Sequence, residues 1–296
     1  MGIGLLVLLV RLVGWDEVVA AVGRARPGWA LAVMALAGLW LCIGAVNVWI
    51  LLRRLAPIPL RAFLGVYITS WAASLLIPGQ LGDVTQVMLL RRHGIEMSRG
   101  GAAYVVDKVV SLGWLLGVGV WGVALYLPPG RGWWLLGPPA VFLATFIAGL
   151  VLVRGAAGAE APGRVRRFLL RLSDQVRSFG AHRGAVAQNV ALTGVKWIVM
   201  TAMYLWAFRA FGSPISLPEA ATVPVIASLA GYIPVTIGGA GVVEWTAVAL
   251  FRGLGIEEST VVVAYLFLRA VLIGWAFVLL MGLREPALRE AGPSGS

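Results

Sequence analysis

Cysteine, histidine, lysine and carboxylates are all scarce in this 296-residue chain, and each shortage removes an explanation. The one cysteine, Cys42, has no intrachain partner, so disulfides play no part, and it reads as a small core residue. The two histidines, His93 and His182, stand apart at basic ends of segments, and without a His/Cys cluster there is no metal site to read. No G-x-S-x-G elbow and no G-K-[S/T] loop occurs, which disfavours the commonest nucleophilic and nucleotide-binding chemistries. No cofactor or metal is expected, and an enzyme is the least favoured class. Charged residues make up 12% of the chain, against roughly a quarter in soluble domains, so a water-exposed globule is excluded.

What fills the chain is apolar: 60% of residues are hydrophobic, 13 of them tryptophans suited to interfacial belts, such as Trp29, Trp133 and Trp134. Runs of membrane length cover Trp29–Leu52, Ala102–Leu127, Trp133–Val153, Val190–Phe211 and Val261–Leu283. Met1–Trp15 is shorter and carries Arg11; it reads as a first membrane helix rather than a removed signal peptide. The expectation is an all-α polytopic protein with one membrane domain over 1–290 and a disordered tail over 291–296.

The net charge of +11 does not point to nucleic acid, because the arginines are grouped by loop. That is the positive-inside signature of a cell-membrane protein, and the partner it suggests is anionic lipid. Segment 154–186, with Arg154, Arg164, Arg166, Arg167, Arg171, Arg177 and Arg183, is expected on the cytoplasmic side, as is the C-terminus with Arg284 and Arg289. Within it VRRFLLRLSDQVRSF has apolar residues at helical spacing, fitting either a helix along the inner leaflet or a solvated loop helix.

Two segments do not read as simple crossings. Ala62–Arg92 and Leu217–Arg252 each contain an apolar arm, a Pro/Gly break and a second arm shorter than the ~20 residues that cross ~30 Å of hydrocarbon. A single crossing by the first would put Arg53, Arg54 and Arg61 opposite Arg91, Arg92 and Arg99, so a re-entrant hairpin on the cytoplasmic face is favoured. By the same count the second hairpin enters from outside. About six spanning helices and two hairpins are expected, eight apolar segments in all.

Shifting the sequence by 161 residues aligns Asp83–Trp114 with Glu244–Trp275 without a gap, and 13 of these 32 positions are identical. The matches include Thr85/Thr246, Arg91/Arg252, the two G-I-E triplets, Ser98/Ser259 and the A-Y and G-W pairs. Asp83 matches Glu244 and Lys108 matches Arg269, keeping charge. The predicted units, about 62–127 and 217–283, begin on opposite sides, which makes an inverted repeat of the kind that builds transporter sites at the midplane. Broken helices at that depth are tolerated where protein or a water-filled cavity satisfies the freed backbone.

Lys108 and Arg269 lie about two turns past the G-I-E triplets, where a charge costs roughly 2.5–3.5 kcal/mol and marks a functional candidate, with snorkelling as the alternative. Asp83 and Glu244 open the second arms, where a carboxylate either caps the helix or serves the site. PGQLG and TIGGAG could offer backbone N–H groups to phosphate. Asp107 beside Lys108, and Lys196 and Arg209 in a later span, are equally explained by local salt bridging or anchoring; Gln86 lies one turn along the first second arm.

At PGQLGD, DK, IPVTIGGAGVVEW and the later arginine, the chain resembles the flippase-like membrane family that includes the N-terminal domain of lysylphosphatidylglycerol synthases, the multiple peptide resistance factors. The matching positions are Pro78, Gly79, Gly82, Asp83, Asp107 and Lys108, then Pro234, Gly238, Gly239, Gly241, Glu244 and Arg269. Gln86 stands where the family pattern has arginine, and Lys108 replaces a second one. The resemblance implies translocation of an anionic or aminoacylated phospholipid, or of a polyprenyl-phosphate or lipid-linked sugar, between leaflets. A non-transporting accessory subunit of a lipid- or glycosyl-transfer enzyme is the rival, and partner enzymes or homo-oligomers fit either. The soluble aminoacyl-transferase domain of the synthases is expected to be absent.

Overall fold

The computed structural model describes residues 2–75, 81–126, 163–231 and 239–290, and every regular element among them is an α-helix. In chain order these are α1 (Gly2–Val13), α2 (Trp15–Gly23), α3 (Pro27–Leu55), α4 (Leu60–Ser74), α5 (Leu81–Arg92) and α6 (Met97–Tyr126). Then follow α7 (Gly163–Ser178), α8 (Arg183–Ala210), α9 (Leu217–Ala230), α10 (Val242–Arg252) and α11 (Glu258–Glu290). Four of them, α3, α6, α8 and α11, are long and apolar enough to cross a membrane.

The N-terminal apolar run is not the single membrane helix its composition suggests. Gly14, with φ of 101°, ends α1 after 12 residues and opens α2 with Asp16 and Glu17 in its first turn. Twelve residues rise only about 18 Å, too little to span hydrocarbon. Cys42 is also not the core residue expected: it is exposed on α3. The run Trp133–Val153 lies outside the described residues, as do 291–296.

The short helices come in pairs. α4 with 15 residues is followed by α5 with 12, and α9 with 14 by α10 with 11; within each pair the two pack together. Ser216 caps α9: its Oγ accepts from the Glu219 amide at 3.4 Å, and its own amide donates to Glu219 Oε2 at 2.7 Å. Each pair turns into a long helix through the same hydrogen bonds. The Gly94 amide donates to Arg91 O and the Ile95 amide to Leu90 O; 161 positions later Gly255 donates to Arg252 O and Ile256 to Phe251 O. Gly94 and Gly255 have φ of 74° and 79°, the left-handed conformation that ends a helix at little cost with glycine. The G-I-E triplets recur in the sequence because each closes this turn.

Packing crosses between the pairs. α4 lies against α11 and α9 against α6, while α3 and α8 pack along each other. Two apolar clusters result. One gathers Phe63, Leu51, Leu90 and Phe179, the other Phe208, Phe251, Val261 and Tyr265. α7 belongs to the first, with Leu172 and Val176 against it and Arg171 exposed, so the amphipathic helix is docked on α6 rather than solvated all round.

The two G-W pairs explain themselves. Trp114 on α6 donates from Nε1 to Val190 O at 3.1 Å and lies over Gly194, while Trp275 on α11 donates to Met34 O at 2.8 Å and lies over Gly38. A Cβ at Gly194 or Gly38 would stand 2.8 or 2.7 Å from the indole ring. Gly194→Leu is therefore expected to lower stability by about 1–3 kcal/mol through overpacking, read as a fall in the thermal unfolding midpoint in detergent. An unchanged midpoint would show that the ring is not held there.

Candidate functional site

Between the two clusters lies a cavity of about 460 Å³, lined by α3, α4, α5, α6, α8, α9, α10 and α11. It collects most of the described charges that the sequence places at depth: Asp107 and Lys108 from α6, Lys196 from α8, Glu244 from α10 and Arg269 from α11. Gln86, 5% exposed, adds an amide from α5, and Gly239 brings backbone to the wall.

Glu244 is 2% exposed and has two partners at once. Its Oε2 accepts from the Gly241 amide at 2.7 Å, and its Oε1 accepts from Arg269 Nε at 2.8 Å, with Nη2 also in contact. Glu244 thus caps α10 and pairs with Arg269 at once. A carboxylate three residues into a helix satisfies an otherwise orphan N–H, and the same placement aims its second oxygen at α11.

Asp107 has partners on two other helices. It accepts from Asn47 Nδ2 at 3.1 Å and Asn189 Nδ2 at 2.9 Å, and Asn47 also donates to Thr193 Oγ1 at 2.9 Å. Asn47, Asn189 and Thr193 are no more than 2% exposed, so α3, α6 and α8 are tied by a buried amide–carboxylate network. Unpaired, such groups would cost about 1–3 kcal/mol each.

The two lysines rest on aromatic faces. Lys108 Nζ lies 5.2 Å from the Tyr104 ring centre and Lys196 Nζ 4.5 Å from that of Trp40, within cation–π range. Tyr204 and Tyr265, with ring centres 5.2 Å apart, close the wall beside Glu244.

Of the residues predicted from sequence, the cavity joins Gln86, Asp107, Lys108, Gly239, Glu244 and Arg269. Gly241, with φ of 85°, caps α10 behind it. Gly82 and Asp83 fall in the first turn of α5, while Pro78, Gly79, Pro234 and Gly238 lie outside the described residues. The Asn47–Asn189 pair was not among the predicted residues, and Lys196 was read as equally explained by local salt bridging or anchoring. Their signal was available: amides and a lysine inside membrane-length runs face protein or water and mark function. His93 and His182 line no part of the cavity; each ring Nδ1 sits by a backbone carbonyl, of Leu89 at 3.3 Å and Ser178 at 3.0 Å. Among the described residues no three His, Cys, Asp or Glu side chains could share a metal ion.

Long apolar helices surrounding a charged interior cavity define a multi-pass membrane protein whose polar chemistry is turned inward. The chain belongs to the family described as Lysylphosphatidylglycerol synthase TM region, which it matches over residues 1–282. It is also 23% identical to a UPF0104 membrane protein of Methanothermobacter thermautotrophicus over 290 residues, covering 87% of this chain and 85% of the relative. The family match is to the transmembrane part of the synthases, not to their catalytic domain.

Proposed function

We propose that this protein is a lipid translocase that moves a phosphate-bearing lipid between leaflets and makes or breaks no covalent bond. The observation that carries the reading is one cavity lined by both repeat-related cations, Lys108 and Arg269, with the Arg269–Glu244 pair in its wall. A phosphodiester offers the same acceptor chemistry as that carboxylate, so a headgroup entering the cavity competes with Glu244 for the Arg269 fork. Lys108 and Lys196 stand in the same cavity within reach of such a headgroup, and Gly239 admits it close to backbone. A volume of about 460 Å³ suits a glycerophosphate headgroup, with the acyl chains left in the bilayer.

In this reading α4–α5 and α9–α10 are re-entrant hairpins, each leading into a spanning helix, and the two units are inverted with respect to the membrane. The similar lengths of the paired helices and the identical turns at Gly94 and Gly255 support it. Alternating access is then rocking of one unit against the other around the shared cavity. The protein sits in the cell membrane with 154–186 and the C-terminus in the cytoplasm, and Asp83 is assigned to the site as the counterpart of Glu244.

The test is leaflet exchange of a fluorescent phosphatidylglycerol in proteoliposomes. Wild type is expected to exchange it well above empty liposomes, and Lys108→Ala/Arg269→Ala to bring the rate down at least about tenfold, since each buried charge-assisted contact contributes about 1.5–3 kcal/mol. Equal exchange by folded wild type and double variant would exclude the cavity as the path.

A further inference from the structure

The two turns closed by the G-I-E triplets share their backbone and differ in charge. At the turn from α10 to α11, Arg252 Nε pairs with Glu258 Oε1 at 3.2 Å and Arg24 Nη2 pairs with Glu257 Oε2 at 3.0 Å, so two cations meet two carboxylates. At the turn from α5 to α6, Arg91 replaces Arg252 and Glu96 replaces Glu257, but Met97 stands where the other copy has Glu258. Helix α7, which lies between the copies in sequence, then adds Arg167 and Arg171 to this end.

These residues line a second cavity of about 420 Å³ with Ser98 and Phe168, separate from the first. Arg171 Nη1 donates to Glu96 Oε1 at 2.9 Å. That hydrogen bond holds the Glu96 carboxyl below the ordinary carboxylate range, so it remains charged at neutral pH. Three guanidinium groups against one carboxylate leave two positive charges around the opening. No carboxylate among the described residues forms an ion pair with Arg91 or Arg167, and Arg167, whose Nε donates to Gly163 O at 3.0 Å, lines the opening.

We infer that this cleft between α7 and the α5–α6 turn is an anion site that takes a phosphate group at the membrane surface. Its chemistry fits: arginine forks match phosphate oxygens bidentately, Phe168 offers an apolar side wall, and a basic pocket beside an amphipathic helix is the usual setting for an anionic headgroup. The absent carboxylate at position 97 is what separates it from its neutralised counterpart. The site stands independently of transport through the central cavity.

Full-length protein in neutral detergent, equilibrated with phosphatidylglycerol or phosphatidylcholine and read by native mass spectrometry, tests it. Wild type is expected to retain phosphatidylglycerol preferentially. Met97→Glu, which installs the second copy's carboxylate against Arg91, is expected to weaken that retention about fivefold, the worth of roughly one surface arginine, and Arg167→Gln to act likewise. Both positions are at least partly exposed, so an unchanged unfolding midpoint confirms that folding is intact. Displacement of the lipid by millimolar inorganic phosphate would identify a soluble phosphate as the ligand; resistance to it would identify the lipid headgroup. Equal retention by wild type and both variants, with Lys108→Ala/Arg269→Ala alone reducing it, would overturn the site and place all anion binding in the central cavity.

Discussion

Glu244→Ala is expected to lower stability by about 3 kcal/mol, a heavy loss for the removal of one side chain that ends in two oxygens. Two groups lose their acceptor together: the Gly241 amide at the start of α10 and the Arg269 guanidinium across the cavity. The amide alone costs about 1–3 kcal/mol when buried without a partner. The guanidinium contributes toward the low end for a broken buried pair, because Arg269 keeps 24% of its side chain exposed and the cavity admits water. Glu244→Gln separates the two, since its amide oxygen can still accept from Gly241 while the charge is gone; it is expected to recover about half of the loss. Glu244→Ala/Arg269→Ala should be less damaging than the sum of its single variants, with a coupling of about 1–3 kcal/mol. Unfolding midpoints of the four proteins in one detergent decide this. Additivity within about 0.5 kcal/mol would mean that the pair does not couple α10 to α11.

The glycine- and proline-broken segments were legible in the sequence because each break sits between apolar arms too short to cross, and the structure places α4, α5, α9 and α10 on those arms. Glu244 and Arg269 were legible for a different reason: a repeat of 161 residues lines up charged positions that lipid would otherwise exclude. The Asp107 network was not legible. Asn47, Asp107 and Asn189 come from three helices separated by 60 and 82 residues, and only packing shows that the two amides converge on one carboxylate. Lys196 had no charged counterpart in the aligned segments, so local salt bridging or anchoring explained it equally well; the structure places it in the cavity wall beside Trp40. The misreading of Met1–Trp15 has a simple cause. Its composition is that of a membrane helix, but α1 covers only Gly2–Val13 of it, and at Gly14 the backbone turns into the acidic first turn of α2.

Gly239→Ala is expected to cost about as much as Glu244→Ala, through backbone rather than charge. Gly239 has φ of 71°, where an L side chain adds roughly 1–2 kcal/mol. Its new Cβ would also lie 2.9 Å from Val243 Cγ2 and 3.1 Å from the Gly231 Cα, so the two ends of the α9–α10 pair would have to move apart. Gly255→Ala separates these causes, because Gly255 has φ of 79° with nothing within 4 Å of its Cβ position. The Gly255 variant should show the conformational cost alone, about 1 kcal/mol, and the Gly239 variant that cost plus about 1–3 kcal/mol of overpacking. Gly239 and Gly231 also line the central cavity, and widening their contact shifts Glu244, five residues on, relative to Arg269. Lipid exchange by Gly239→Ala should therefore fall although every charge is retained, while Gly255→Ala exchanges lipid at the wild-type rate. Equal midpoints for the two variants would show that the close approach of Gly231 and Gly239 is not what holds the pair, and the geometry behind the Glu244–Arg269 contact would need another source.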